Sequence, residues 1–292
     1  MLDNIRLALV ILSYNSANDL EACLESVSRA EGLPSEIVMV DNASRDSSVH
    51  LANDITQRLG LRIDVVSLPE NLGCAGGNNR GWRATKSEIV VFLNPDTEVS
   101  RDFFSAIRIA FHSADIGIVG AKIKYPGGSI LQHAGGVIHP NGMTGHFGHG
   151  KSDSPEFNLE RNCDYVTGAG FAIRRSLLEE LRGFREQFFP AYFEEVDLCT
   201  RARQAGYRIV YNPMINMVHK ESVSLGVDSK SFRRLYQRMR IRYLLLNTPA
   251  SGWRKVLGFE RWWWRQPFSK GHRLEQVRAY TEGFLWKLGL LK

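Results

Sequence analysis

Arg6-Leu-Ala-Leu-Val-Ile-Leu12, followed at once by Ser13-Tyr-Asn-Ser16, decides how the rest of the chain is read. The apolar run has strand length and does not alternate, so both faces of that strand must be covered. A helical pattern comes next, with Leu20, Cys23, Leu24 and Val27 on one face. Glu36-Ile-Val-Met-Val-Asp41 repeats the apolar strand, and Ser44 to Leu59 reads as a helix. Arg62 to Leu68 and Ile89-Val-Val-Phe-Leu93 supply a third and a fourth strand. Strands of this kind separated by helices predict an α/β fold: a Rossmann-like, mainly parallel central sheet with helices on both faces.

Each strand ends in polar residues: Asn15, then Asp41 and Asn42, then Asn71, then Asn94 and Asp96. In open α/β sheets the ligand crevice lies beyond the carboxyl ends of the strands. Any one of these side chains also makes a good turn or helix cap. Their recurrence at every strand end is what points to a binding site.

From about residue 115 the pattern changes. Gly127-Gly128, Gly135-Gly136 and the stretch His139 to Gly150 predict turns and a mobile loop. His133, His139, His146 and His149 fall here; interleaved with glycine and without carboxylates, they read as a polar loop rather than a metal site. Asp164 to Arg174 reads as a strand, Ser176 to Leu181 as a short helix, and Glu194 to Ala205 as another helix.

The 292 residues, 43% hydrophobic and 23% charged, suit one sizeable core with a modest appendage. No apolar run reaches the ~18 residues that span a bilayer, and the first twelve residues do not pattern as a secretory signal. Cys23, Cys74, Cys163 and Cys199 lie far apart, which argues against a zinc knuckle and predicts a reducing, cytoplasmic setting. The net charge of +6 conceals an asymmetry. Residues 228–292 hold 15 Lys and Arg against 4 Asp and Glu, while residues 1–227 hold 22 against 27. The tail also holds five of the six tryptophans. A domain over 1–227 and a basic, Trp-rich helical extension over 228–292 follow, the latter amphipathic through Phe232, Leu235, Tyr236, Met239, Tyr243 and Leu246.

Three constellations can carry chemistry. Leu93-Asn-Pro-Asp-Thr97 sets an acid at a strand end, where it can hold Mg²⁺ or Mn²⁺ against a diphosphate. Phe193-Glu-Glu-Val-Asp-Leu198 brings three acids out of an apolar stretch at a helix start. The helix dipole accounts for part of that preference, but acids against such a wall can also have raised pKa values and act as bases. His219 ends the run from Ile209; alone it reads as a structural histidine, and it gains meaning only by meeting Asp96.

Taken in order, these residues resemble family 2 glycosyltransferases of the GT-A fold, most nearly the rhamnosyltransferase-like members that build bacterial surface polysaccharides. The resemblance covers roughly residues 6–225. It rests on Leu12-Ser-Tyr-Asn15, Val40-Asp-Asn-Ala-Ser-Arg-Asp46, the segment Pro69 to Gly81, Leu93-Asn-Pro-Asp-Thr97, Thr167-Gly-Ala-Gly170 and the segment Phe193 to Tyr207. It implies an inverting transfer of a sugar, rhamnose in the first instance, from a nucleoside-diphosphate donor to a saccharide or lipid-linked hydroxyl. Ser13, Asn15 and Asp41, with Asn42 and Ser44, match positions that hold the base and ribose of a dTDP- or UDP-sugar. The Asn71 to Asn78 loop, with Gly73, Gly76 and Gly77, matches the segment that closes over the donor. Asp96 matches the last acid of the metal-binding Asp-X-Asp, with Asn94 in place of the first, and His219 matches a histidine of the metal shell. Glu195 matches the catalytic base, although this chain has Glu where Asp is usual; Glu194 and Asp197 compete for the role. Arg174 stands near as a candidate helper.

Other readings remain. A UDP-hexose donor fits the same motifs, as does a non-catalytic sugar-nucleotide-binding protein. A nucleotidyltransferase would need a basic, glycine-rich phosphate loop, and Leu12 to Leu20 has none. The tail suits the inner face of an anionic membrane, or packing on protein, including a homodimer; no nucleic-acid module accompanies it.

Overall fold

The computed structural model describes residues 5–221, 229–266 and 273–291. It divides into two units, one of residues 1–136 and 146–221, the other of residues 137–145 and 222–292. The boundary expected between 227 and 228 lies outside the described residues. Segment 137–145, read from the sequence as part of the first domain, groups instead with the C-terminal helices.

The first unit opens with β1 (Leu7–Ser13), α1 (Leu20–Arg29), β2 (Glu36–Asp41), α2 (Ser48–Leu59), β3 (Asp64–Ser67), α3 (Gly73–Arg83) and β4 (Ile89–Leu93). It continues through β5 (Thr97–Val99), α4 (Phe103–Ala110), β6 (Ile116–Lys124) and β7 (Leu131–His133). After β8 (Gly136–Ile138) and β9 (Thr144–His146), a two-stranded sheet most of which groups with the second unit, come β10 (Arg161–Asn162) and β11 (Gly170–Arg174). Last come α5 (Arg175–Glu180), α6 (Glu194–Gln204) and β12 (Arg208–His219).

The sheet order is β10-β12-β6-β11-β4-β1-β2-β3, with β5 on β12 and β7 on β6. Strands β1 to β4 run parallel to one another, as the apolar runs predict. β11 is reversed between β4 and β6, and β12 is parallel to β6. Leu7, Leu9 and Ile11 of β1 pack with Leu20, Cys23, Leu24 and Val27 of α1 and with Phe103 and Phe104 of α4, all shut from solvent. Each such Leu, Val or Phe contributes about 1.5–3 kcal/mol of transfer free energy, which is why the face read from the sequence forms.

Several expectations are corrected. The helix expected from Ser44 begins at Ser48, because residues 43–46 form a turn with Ala43 at φ +62 and Ser44 N–H bonded to Asp41. The third strand is shorter than 62–68, and of 164–174 only Gly170–Arg174 is strand. The loop expected at Asn71 to Asn78 is a helix from Gly73 on. Within His139 to Gly150 there is a hairpin strand rather than loop throughout. The sequence reading passed over β6 and its glycines: a Cβ on Gly120 would lie 2.3 Å from Val166 and one on Gly117 2.6 Å from Leu177. They are glycine because neighbouring side chains press on the strand.

The second unit carries α7 (Lys230–Asn247), α8 (Trp253–Trp263) and α9 (Arg273–Lys287). Its centre is polar. Arg240, fully buried, bonds Gln237 Oε1 and Glu260 Oε1, each at 2.7 Å. Glu260 also accepts from Tyr280 at 2.7 Å, from Gln276 at 3.1 Å and from Asn141 at 3.2 Å. A buried ion pair persists only when further hydrogen bonds hold it in this way. Among the described residues no helix is long and apolar enough to cross a membrane.

Candidate active site

Parallel pairing brings the ends of the first strands to one edge. Ser13 and Asp41 are register partners, and Asn42 N–H donates to Ser13 O at 2.8 Å. Ser13 Oγ is buried and meets no hydrogen-bond partner, a state that calls for an explanation. Asn15, at φ +52, bonds Ser44 Oγ through its N–H and accepts from Arg45 N–H at 2.8 Å. These crossed bonds fix the turns after β1 and β2 to each other. Asn42 reaches further: its Oδ1 accepts from Leu72 N–H at 2.8 Å, and its Nδ2 donates to Asn71 Oδ1 and Gly73 O. Asn42 and Asn71 are thus held by protein groups and tie the entry of α3 to β2.

The glycines of α3 do other work than lining a loop. A Cβ on Gly77 would lie 2.3 Å from Leu12, and one on Gly73, at φ +70, 2.6 Å from Pro190 O. Asn78 sits half-buried on the same helix.

After β4, Asn94 N–H donates to Ala169 O at 2.9 Å, joining this strand end to the Thr167-Gly-Ala-Gly170 segment. β5 pairs antiparallel with the end of β12, Thr97 opposite His219, and Lys220 N–H donates to Asp96 O at 3.0 Å. That pairing sets Asp96 Oδ1 3.2 Å from His219 Nε2, both side chains nearly buried. The convergence on which His219's meaning depended is present. Among the described residues no three His, Cys, Asp or Glu side chains are grouped to hold an ion.

The acids of α6 differ sharply in surroundings. Tyr192 and Phe193 precede them at φ +76 and +72, a strained pair of left-handed residues. Glu194 is buried, and burial together with the Glu195 charge pushes its carboxyl well above the usual range. Its partner is the Cys74 thiol, while its Oε2 is unpartnered. Glu195 is partly exposed as a residue, but its Oε2 is shielded and unpartnered. Burial raises its pKa to about 7 against the pull of backbone N–H groups of α6 and Gly168. Asp197, with no exposed surface, gives one oxygen to Arg185 at 2.8 Å and the other to Arg201 at 2.7 Å. It braces α6 rather than facing a ligand. Arg174, offered as a helper, bonds backbone carbonyls of Ile116 and Ser113 at 2.8 Å and has structural work there.

Sequence reasoning passed over Gly168, Cys74, Arg185 and Gln132. Gly168 and Cys74 lay inside quoted motifs, but nothing in their spacing linked them to Glu195 and Glu194; Arg185 and Gln132 are joined to the site by tertiary contact alone.

The family profile described as glycosyl transferase family 2 matches residues 8–182. Glu194 to Asp197 and His219 lie beyond the matched span. An uncharacterised protein of Sinorhizobium fredii is 30% identical over 247 residues, 81% of this chain but 27% of its own length. An N-acetylglucosaminyl-diphospho-decaprenol L-rhamnosyltransferase of Mycobacterium tuberculosis is 27% identical, with 85% of this chain and 86% of that one covered. Among solved structures, GalNAc-T7 with UDP, GalNAc and Mn²⁺ aligns at TM-score 0.65 and 15% identity over 82% of this chain and 48% of its own. A Pyrobaculum calidifontis mannosyltransferase with GDP-Man and Mn²⁺ aligns at TM-score 0.61 and 17% identity over 99% and 77%. The chain therefore belongs to glycosyltransferase family 2, folds as a GT-A enzyme, and has rhamnosyltransferases among its relatives.

Proposed function

We propose that the chain transfers rhamnose, with inversion, from a nucleoside-diphosphate donor to a hydroxyl of a saccharide or lipid-linked acceptor in surface-polysaccharide assembly. The observation that carries the transfer chemistry is Glu195: an unpartnered, shielded carboxylate oxygen with a pKa raised to about 7, two residues from an acid that is fully engaged; rhamnose is suggested by relatives named as rhamnosyltransferases. A general base works best when its pKa lies near the working pH. Ionised Glu195 takes the proton of the acceptor hydroxyl as that oxygen attacks the anomeric carbon, through an oxocarbenium-like transition state. Glu194, kept protonated by burial, spares Glu195 a second negative charge. Ser13, Asn15, Asp41 and Ser44 receive the nucleoside, Asp41 accepting from its O–H or N–H groups. Asn42, Asn71, Gly73 and Asn78 shape that wall of the crevice, and Asn94 holds its rim.

Asp96 and His219 fit a divalent cation. Two ligands ~2.1 Å from one ion at right angles stand about 3 Å apart, and these atoms are separated by 3.2 Å. Carboxylate plus imidazole would suit Mn²⁺, with Mg²⁺ the alternative, Asp96 and His219 being the residues that would hold it. Such an ion neutralises charge on the leaving diphosphate.

The second unit supports work at the inner face of a membrane. Leu257, Trp262, Phe284 and Leu288 are exposed, as are Arg254, Lys255, Arg261 and Arg278. The described acids of α8 and α9 are buried, as Glu260 and Glu275 are, or paired, as Glu282 is with Arg234. An apolar, cationic exposed surface suits anionic headgroups.

Release of nucleoside diphosphate tests the function. With a lipid-linked saccharide acceptor, dTDP-rhamnose should give turnover above a panel of UDP- and GDP-sugars. Turnover with a UDP-hexose alone would replace the donor, and none with any donor would leave a sugar-nucleotide-binding protein.

A further inference from the structure

β7 carries one residue more than its partner. Ile123 of β6 pairs with His133 and Lys124 with Leu131, so Gln132 is the extra residue of a β-bulge. Bulges re-aim side chains and recur beside active sites. Gln132 is 6% exposed, and its two amide atoms face different groups: Oε1 lies 2.7 Å from His219 Nδ1, and Nε2 lies 3.2 Å from Glu221 Oε2. The Tyr125 hydroxyl also touches both Gln132 and Glu221. His149 Nδ1, 3.2 Å from Gln132 O, anchors the bulge from its backbone side.

These contacts determine one another. A carboxylate only accepts, so the amide NH₂ faces Glu221 and the amide oxygen faces His219. An amide oxygen also only accepts, so His219 Nδ1 must carry the proton. In the neutral ring Nε2 is then the lone-pair nitrogen, and Nε2 is the atom that faces Asp96 Oδ1. In that ring two acceptors stand 3.2 Å apart, a pair that either a proton on Nε2 or a cation between them can bridge. We propose that Gln132 is a positioning residue that locks His219 in the Nδ1–H tautomer, so that Nε2 is offered to the divalent cation shared with Asp96. This rests on the cation reading given above for that pair. Glu221, held at φ +55 at the end of β12, completes the relay by fixing which way the amide points. Without it, the ring loses both its preferred tautomer and its restraint on rotation.

The test uses the full chain and reads the ring and the ion separately. ¹⁵N NMR of the metal-free protein, recorded at a pH where the ring is neutral, should show His219 mainly as the Nδ1–H tautomer. Gln132→Met, of similar shape but without the acceptor, should shift it towards Nε2–H. Calorimetric titration with Mn²⁺ should show affinity about 10–100-fold weaker in Gln132→Met. His219→Ala should weaken binding too, and the double variant should be no weaker than His219→Ala alone. Gln132→Glu keeps an oxygen for Nδ1–H and should retain the tautomer, which separates positioning from general loss of structure. An unchanged tautomer in Gln132→Met, or multiplicative losses in the double variant, would overturn the proposal. Absence of Mn²⁺ binding by the wild-type chain would overturn the cation reading itself, while the tautomer signal would still report what Gln132 does to the ring.

Discussion

Glu195 and Asp197 stand two residues apart on α6, and their surroundings give them opposite work. Glu195 has a free, shielded oxygen, whereas Asp197 is clamped by Arg185 and Arg201. Removing Asp197 strands two guanidinium groups, one of them nearly buried, so Asp197→Ala should cost about 3–5 kcal/mol in denaturant unfolding. Because the pKa of Glu195 is raised to about 7, kcat/KM should fall as pH drops below that value, where the base becomes protonated. Stability should run the other way. The folded protein holds this proton more tightly than the unfolded chain, so the contribution present below about 4.5 is lost as pH rises through about 7. Thermal melts should show Glu195→Gln gaining on the wild type across that window; a constant difference would mean the carboxyl titrates normally. The acids themselves were legible in the sequence. Which of them is free was not, because Arg185 sits on a separate loop and Gln132 enters only through strand register.

At the scale of elements, the sequence is most informative where burial on both faces leaves an unbroken apolar run. β1, β2 and β4 are of that kind, and α1 shows its buried face as clean spacing. Between residues 115 and 150 the reading missed strands, whereas the helices read at 176–181 and 194–205 are α5 and α6; glycine has two uses. Gly117 and Gly120 are close-packing residues of β6, not turn residues, and Gly77, read as part of a donor loop, seats α3 on Leu12. Gly77→Ala should therefore destabilise by about 1–3 kcal/mol through overpacking, measured as a lower denaturant midpoint. The α3 entry should remain ordered in that variant, since Asn42 and Asn71 still hold it.

For the whole molecule, charge is divided between a mildly acidic body and a strongly basic tail. Full-length chain should sediment with anionic vesicles and be released as salt screens the attraction. Trp262→Ala combined with Phe284→Ala should reduce sedimentation at low salt; equal partitioning of variant and wild type would assign those side chains to contacts with protein. The central claim is that a family 2 fold brings one free carboxylate to the acceptor hydroxyl. It is tested most directly by nucleoside diphosphate release from wild type and Glu195→Gln under saturating donor, acceptor and Mn²⁺, with donor affinity measured in parallel. The account predicts turnover lower by about 10²–10⁴-fold with donor affinity unchanged. Near-normal turnover in Glu195→Gln would contradict it.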